Sequence, residues 1–292
     1  MHKLRDVIET ARKEKRAIGH FNISDSEQLW AIFNAARKLN VPVIIGASEG
    51  ERDFIGVRQA AVLVKSMREE FDYPIFLNAD HTYSFERVKE AIDAGYDAVI
   101  FDGNKVAHDQ NVSITKQCVE YAREVSASRR TDIVVEAELG NIGMSSKLLE
   151  GIPEGAQITE EMMTKPEELK SFIQATGVDM IAPAVGNLHG MLKNAPQPKV
   201  SSLRIKELQE AGGIPMVLHG GSGISDPEFI EAIEAGIAII HINTEIRIAY
   251  RKGIEAGLAA DPDEVAPYRF MKPGVDEVMK VVEDRLKLFN RM

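Results

Sequence analysis

Eight short apolar segments, each followed by a stretch with helical periodicity, constrain this chain more than any other feature. They fall at residues 17–23 (AIGHFNI), 41–48 (VPVIIGAS), 74–81 (PIFLNADH), 98–102 (AVIFD), 133–139 (IVVEAEL), 180–185 (MIAPAV), 215–218 (PMVL) and 237–242 (IAIIHI). Runs of four to eight apolar residues bounded by turn signals read as buried strands. Between them the spacing predicts helices over 25–39, with Leu29, Ile32, Phe33 and Ala36 on one face, and over 57–69, 84–94, 111–126 and 202–211. Ser84 and Gly95 read as the cap and stop of one helix, Thr164-Lys165-Pro166-Glu167 as the start of another, and Ser225-Asp226-Pro227 as the cap of a third.

Strands alternating with helices, with no break in composition, predict an α/β fold: a single parallel (β/α)8 TIM barrel. The barrel is expected to span 1–292, with 265–292 a C-terminal helical extension whose amphipathic helix, 275–289, lies across the barrel or against a partner subunit. A doubly wound open sheet would carry a glycine-rich phosphate turn after its first strand, and here that turn reads FNISDSEQ. The segment 140–164, with no convincing period, has the length of a lid or binding loop.

At 292 residues and 44% hydrophobic, the chain can bury a large core without staples. Cys118 is the single cysteine, so no disulfide can form within the chain, and a reducing, cytoplasmic setting is expected. The start, MHKLRDVIETARKEKR, is too charged for a signal peptide, and no apolar run approaches the roughly 20 residues of a membrane span. A net charge of −10 argues against general nucleic-acid binding. An anionic ligand would have to be held by local amides and one or two basic side chains.

Barrels of this kind carry their chemistry at the C-terminal ends of the strands. Those ends supply Asn22, Ser48, Asp80-His81, Asp102, Glu136 with Glu138, His189, His219 and His241. One histidine at a strand end is more often a core or surface residue than a ligand, and an Asp-His pair alone serves equally as a turn and helix cap. Three histidines, His81, His189 and His219, converging at one end with carboxylates nearby are what a catalytic zinc needs. After the seventh strand, LHGGSG (218–223) places glycines and a serine just before a helix. A flexible turn would read the same way, but glycines there also let backbone amides approach a phosphate.

The motifs FNISD, ADH, FDG, VEAELG, VGNLHG, VLHGGSG and INTEIR, in that order, resemble the class II (zinc-dependent) ketose-bisphosphate aldolases over nearly the whole chain. The resemblance implies that Asp80 is the acid/base and that His81, His189 and His219 hold zinc, with Asp102 and Glu138 nearby and Glu138 able to supply an alternative ligand. Gly190, Gly220, Gly221 and Ser222, with His241, Asn243 and Thr244, match positions that hold the phosphate of dihydroxyacetone phosphate. Ser48 and Arg247 match positions contacting a second phosphate, and Asn22 joins the substrate-binding set. A monovalent cation beside the zinc, and a homodimer or homotetramer, are further expectations.

The implied reaction is reversible cleavage of fructose 1,6-bisphosphate or a tagatose 1,6-bisphosphate-like ketose into dihydroxyacetone phosphate and glyceraldehyde 3-phosphate. Cleavage leaves an enediolate whose charge needs a Lewis acid, and a carboxylate must take and return the C4 hydroxyl proton. Two departures stand out. His241 occupies a position where the family commonly has a small polar residue, with Ile239 where it has a basic one. The loop GNIGMSSKLLEGIPEG offers Glu150 and Glu154, neither aligned with the glutamate the family carries on its lid. These departures keep a second reading in view: a sugar-phosphate-binding or regulatory homologue with reduced or lost turnover. A metal hydrolase would want His-x-His where the chain has His20-Phe21-Asn22, and a Schiff-base aldolase would want a strand-end lysine that MIAPAVGN lacks.

Overall fold

The alternation of side chains along each strand sorts the apolar residues into two layers, and those layers explain why the sheet closes. The computed structural model describes residues 2–142, 148–149, 159–193 and 197–292. Its barrel strands are β1 Ile18–Asn22, β2 Val43–Ala47, β3 Ile75–Thr82, β4 Ala98–Phe101, β5 Val134–Leu139, β6 Met180–Pro183, β7 Met216–Leu218 and β8 Ile237–Ile242. They close in the order β1-β8-β7-β6-β5-β4-β3-β2, with β1 pairing in parallel with both β2 and β8. The eight strands and the (β/α)8 architecture are those the apolar pattern predicts.

Phe21, Ile45, Leu77, Val99, Val135, Ile181, Leu218 and Ile240 belong to the large cluster shared with the surrounding helices. Their strand neighbours Ile18, Ile44, Phe76, Ala98, Val134, Met180, Val217 and Ile239 form a second cluster inside the barrel. Strands buried on both faces therefore read as continuous apolar runs.

The interior cluster is closed from below by α1 (Leu4–Lys13), which buries Leu4, Ile8 and Ala11 against it. The charged start of the chain conceals this helix, although Leu4 and Ile8 stand one turn apart. Arg5 anchors it, bonding to Asp179 at 2.9 Å and to Asp132 at 3.1 Å.

The outer helices are α2 (Ser26–Leu39), α3 (Glu49–Ile55), α4 (Val57–Phe71), α5 (Phe85–Ala94), α6 (His108–Arg129), α7 (Pro166–Thr176), α8 (Ser202–Gly212), α9 (Asp226–Ala235) and α10 (Thr244–Ala260). Ser84 caps α5 by accepting from the Arg87 amide, Gly95 ends it in the left-handed region, and Ser225 forms a capping box with Glu228 at α9. Thr164 does not cap α7. Its hydroxyl donates to Leu139 O at 2.6 Å and accepts from the Ala184 amide at 2.9 Å, tying the ends of β5 and β6 together. The C-terminal helices are α11 (Pro267–Phe270) and α12 (Lys272–Phe289). Helix α12 packs along the flank of the barrel on α2 and α10, burying Val278, Val282, Leu286 and Phe289. No helix is long and apolar enough to cross a membrane. Glu150 and Glu154, the loop acids considered from the sequence, lie outside the described residues.

Candidate active site and metal centre

Every second residue along several strands faces the interior, and toward the C-terminal ends these positions turn from apolar to ionisable. The series are Ile18-His20-Asn22 on β1, Phe76-Asn78-Asp80 on β3, Val134-Glu136-Glu138 on β5, Val217-His219 on β7, and Ile239-His241-Asn243 leaving β8. His20, Asn22, Asn78, Asp80, Glu136, Glu138, His219 and His241 are all buried. Gly46 makes room for them: a Cβ there would stand 2.2 Å from the His20 ring and 2.9 Å from Asn22 Oδ1.

A regular strand would send the consecutive residues Asp80 and His81 to opposite faces. The pairing of β3 with β4 shifts register between Ala79 and Thr82, and His81 has φ of 39°. This bulge, with one non-glycine residue in the left-handed region, turns His81 toward the same site as Asp80. Buried Arg52 supports it from behind, donating to Asp80 O at 3.0 Å and to Thr82 Oγ1 at 3.0 Å.

His81, His189, His219 and Glu138 each offer a ligand atom within 4.8 Å of the others. The three imidazoles meet edge to face, with interplanar angles of 69° (His81–His189), 80° (His81–His219) and 75° (His189–His219). Lone pairs lie in the ring planes, so mutually crossed rings aim them from three directions at one point. His189 Nε2, His219 Nδ1 and Glu138 Oε2 are buried without a hydrogen-bond partner among the described residues. On two of the rings the other nitrogen is committed: His81 Nδ1 lies 2.9 Å from Asp102 and His219 Nε2 lies 2.8 Å from Glu136. Each carboxylate thereby fixes which nitrogen is left for a metal, an arrangement typical of zinc-binding histidines. The donor set fits zinc, which takes neutral imidazoles and carboxylates and leaves a position open for substrate in catalytic sites.

The electrostatics agree. Burial works against a charged His81, but Asp80, the bond to Asp102 and Glu138 outweigh it and push its pKa up to about 10. Burial, then the cations His81 and His219, hold His189 well below its ordinary value. Burial, then the charge of Asp102, pushes Glu138 up to about 7. Without a metal the cluster must store a proton among buried groups, and a bound cation would displace it.

Asp80 itself stays ionised. Burial opposes this, but His81 and His241 hold its carboxyl well below the usual range. Asn22 Nδ2 donates to Oδ2 at 2.9 Å, while Oδ1 has no hydrogen-bond partner among the described residues and faces His241 Nδ1 at 3.4 Å. His241 is a slab between two other imidazoles, its centroid 3.5 Å from His20 at 3° and 4.1 Å from His219 at 25°. Burial lowers His20 to about 4 and carries His241 well below its ordinary value, so both are neutral. His20, Asp80 and His241 also form a compact group of metal-ligating types. Stacked rings keep their lone pairs in parallel planes, however, and cannot converge on one ion as the crossed rings do.

Most of the residues singled out from the sequence line one cavity. Asp80, His81 and His189 form its metal side, with Asn22, Ser48 and His241 also on the wall. Gly190, Gly220, Gly221, Ser222, Asn243 and Thr244 complete the lining. Gly220 has φ of 64°, and a Cβ there would meet Leu188 O at 2.4 Å, so the β6 and β7 loops approach closely only because the residue is glycine. Ser222 Oγ accepts from the Asn243 and Glu245 amides, both at 3.2 Å, which leaves its own proton to donate. With the positive end of α10 behind it, this cradle suits a phosphate.

Glu138 and His219 sit deeper, below the cavity wall. Arg247 is not brought to the wall: its guanidinium is bonded to Glu51. The histidine His20, the Asn78 amide that bonds it at 3.1 Å, and the acid Glu51 were not read from the sequence as site residues. Period-two spacing from Asn22 could have found His20, and the Ser48-x-x-Glu51 capping pattern could have drawn attention to Glu51.

A family model described as "Fructose-bisphosphate aldolase class-II" matches residues 2–292. The chain is 35% identical over 289 residues to a fructose-bisphosphate aldolase of Geobacillus stearothermophilus, covering 98% of this chain and 96% of that one. It is 33% identical over 292 residues to one of Staphylococcus aureus, with the same coverage of each chain. Among solved structures, the YdjI aldolase of Escherichia coli K12 superposes with a TM-score of 0.81 at 27% identity, covering 98% of this chain and 96% of that one. A fructose-bisphosphate aldolase of Campylobacter jejuni superposes with a TM-score of 0.80 at 21% identity, covering 98% of this chain and 94% of that one, and supports the fold. With the match running from one end of the chain to the other, the protein belongs to the class II fructose-bisphosphate aldolase family, a family of carbon–carbon lyases.

Proposed function

We propose that the chain is a zinc-dependent aldolase that reversibly cleaves a phosphorylated ketose into dihydroxyacetone phosphate and an aldehyde. The observation that carries this reading is the convergence of three crossed imidazoles beside an ionised Asp80, on a cavity whose lining also includes a phosphate cradle. His81, His189 and His219 would hold the zinc, with Glu138 in reach as a further ligand. Zinc bound there supplies a Lewis acid for the ketose carbonyl oxygen and the charge that cleavage leaves on it.

The remaining work falls to the chain's own residues. Asp80 Oδ1, without a hydrogen-bond partner among the described residues, accepts the C4 hydroxyl proton in cleavage and returns it in condensation. Asn22 and the bulge at His81 hold that carboxylate in place. The Gly220–Ser222 loop and the start of α10 grip the phosphate, a remote handle whose binding energy positions the reacting carbons. Fructose 1,6-bisphosphate and tagatose 1,6-bisphosphate, with glyceraldehyde 3-phosphate as second product, are the substrates that the family points to first. The geometry supports the dihydroxyacetone phosphate half most directly.

Dialysis against a chelator should abolish cleavage, and zinc should restore it with about one equivalent bound per active chain. Cleavage indifferent to metal removal would overturn the reading. Tight binding of a phosphorylated ketose with no turnover in the zinc-loaded protein would favour the binding or regulatory homologue instead.

A further inference from the structure

The carboxylate of Glu51 holds Ser48 and Arg247, the two residues that the family resemblance assigns to a second phosphate. It is 6% exposed. Its Oε2 accepts from Asn22 Nδ2 at 2.7 Å, from the Ser48 amide at 2.8 Å and from Ser48 Oγ at 2.8 Å, and its Oε1 accepts from Arg247. A capping box at the start of α3 accounts for the two Ser48 bonds. It does not account for those to Asn22, at the end of β1, or to Arg247, on α10. Such boxes ordinarily sit in solvent, whereas this acid is buried behind two residues of the cavity wall.

Resting on the aldolase reading above, we propose that Glu51 makes the Asn22–Ser48 part of the cavity selective for an uncharged, hydroxylated sugar terminus. The substrate is then a ketose with its phosphate at C1 alone, and the aldehyde released carries no charge. Two observations support this independently. Ser48 and Arg247, the pair that a second phosphate would use, are both committed to Glu51. A phosphate beside Ser48 would stand against a fixed carboxylate with its counter-cation already taken, and like charges so placed exclude a partner strongly. Asn22 is the second observation. Its nitrogen donates to both Glu51 and Asp80, while its Oδ1 is buried without a partner among the described residues. An orphaned carbonyl oxygen on a cavity wall is completed by a hydroxyl hydrogen and not by a phosphate oxygen. Elsewhere on the lining, the Gly220–Ser222 loop and the start of α10 contribute Ser222, Asn243 and Thr244 and no carboxylate. The two parts of the lining are thus built for different chemistry.

The test uses the zinc-loaded full-length protein in the condensation direction. Dihydroxyacetone phosphate is offered with D-glyceraldehyde or with D-glyceraldehyde 3-phosphate. In parallel, zinc-dependent exchange of the donor's carbon-bound hydrogen into deuterated water is followed without any aldehyde. The expected result is exchange, with kcat/KM about tenfold or more in favour of the uncharged aldehyde. Glu51→Gln keeps an acceptor but removes the charge, and should narrow that ratio by about tenfold, chiefly by lowering KM for the phosphorylated aldehyde. Exchange with a preference for glyceraldehyde 3-phosphate would overturn the inference and leave the aldolase reading standing. Absence of exchange would sink both. Should the variant fail to fold, the wild-type comparison of the two aldehydes decides by itself.

Discussion

The two ends of the barrel handle buried polarity in opposite ways. At the N-terminal end, α1 seals an apolar interior with Leu4 and Ile8, and the charges around it are paired. Asp179 alone is bonded by Arg5, by Arg123 and by the Val135 amide. At the C-terminal end, His189 Nε2, His219 Nδ1, Glu138 Oε2, Asp80 Oδ1 and His241 Nε2 are buried and lack hydrogen-bond partners among the described residues. Buried polar atoms without partners cost stability, and a cluster of them at one place marks where a ligand would complete them. One end holds the barrel together, and the other carries the unpaired polar atoms that the proposed metal and substrate would complete.

Mutations that exchange the behaviour of the two ends would break that contrast. The largest effect is expected for Asp80→Ala: cleavage should fall about 10³-fold, within the usual range for a general base, with bound zinc and thermal midpoint unchanged or the midpoint raised. A drop in midpoint instead would make Asp80 a structural residue. Ile8→Ala empties part of the seal below the barrel and should cost about 3 kcal/mol in denaturant unfolding while kcat stays near wild type. Lost zinc in that variant would show that the two ends are coupled.

Glu136→Gln removes the carboxylate that orients His219 without touching the metal position itself. Zinc affinity, measured by competition with a chelator, should weaken about 10- to 100-fold. Unchanged affinity would show that Glu136 is packing. The smallest effect is at Asp179, where Asp179→Asn should cost about 2 kcal/mol, less than for a fully buried pair because Arg5 and Arg123 are each partly exposed. Burial opposes its ionisation, but Arg123 and Arg5 hold its pKa below the ordinary value in the folded state. Its contribution is therefore fully present above the unfolded pKa and is lost as pH falls through the lower folded one. Urea midpoints of wild type and variant should draw together as pH falls from 7 through that lowered pKa.

The unequal legibility of these ends has a physical origin. The His-His-His cluster and the Gly-Gly-Ser-Gly loop stand at the ends of recognisable strands, so strand position alone brought them together. Helix α1 escaped because six of its ten residues are charged or polar, and its apolar face of Leu4, Ile8 and Ala11 has meaning only against a finished barrel. Arg247 reads as an anion-binding residue in the sequence, and Glu51, 196 positions away, decides its partner.

Local pattern by itself determined the eight strands, the caps at Ser84 and Ser225, the stop at Gly95 and the end at which chemistry gathers. Those properties depend on period, capping and turn chemistry within a few residues. Closure of the barrel decided the rest. It set the bulge that turns His81 beside Asp80, the stack of His20, His241 and His219, the crossing angles that aim three imidazoles at one point, and the hold of Glu51 on Asn22, Ser48 and Arg247. Each of these is a contact between strands or helices distant in the chain, and such contacts exist only when the sheet meets itself.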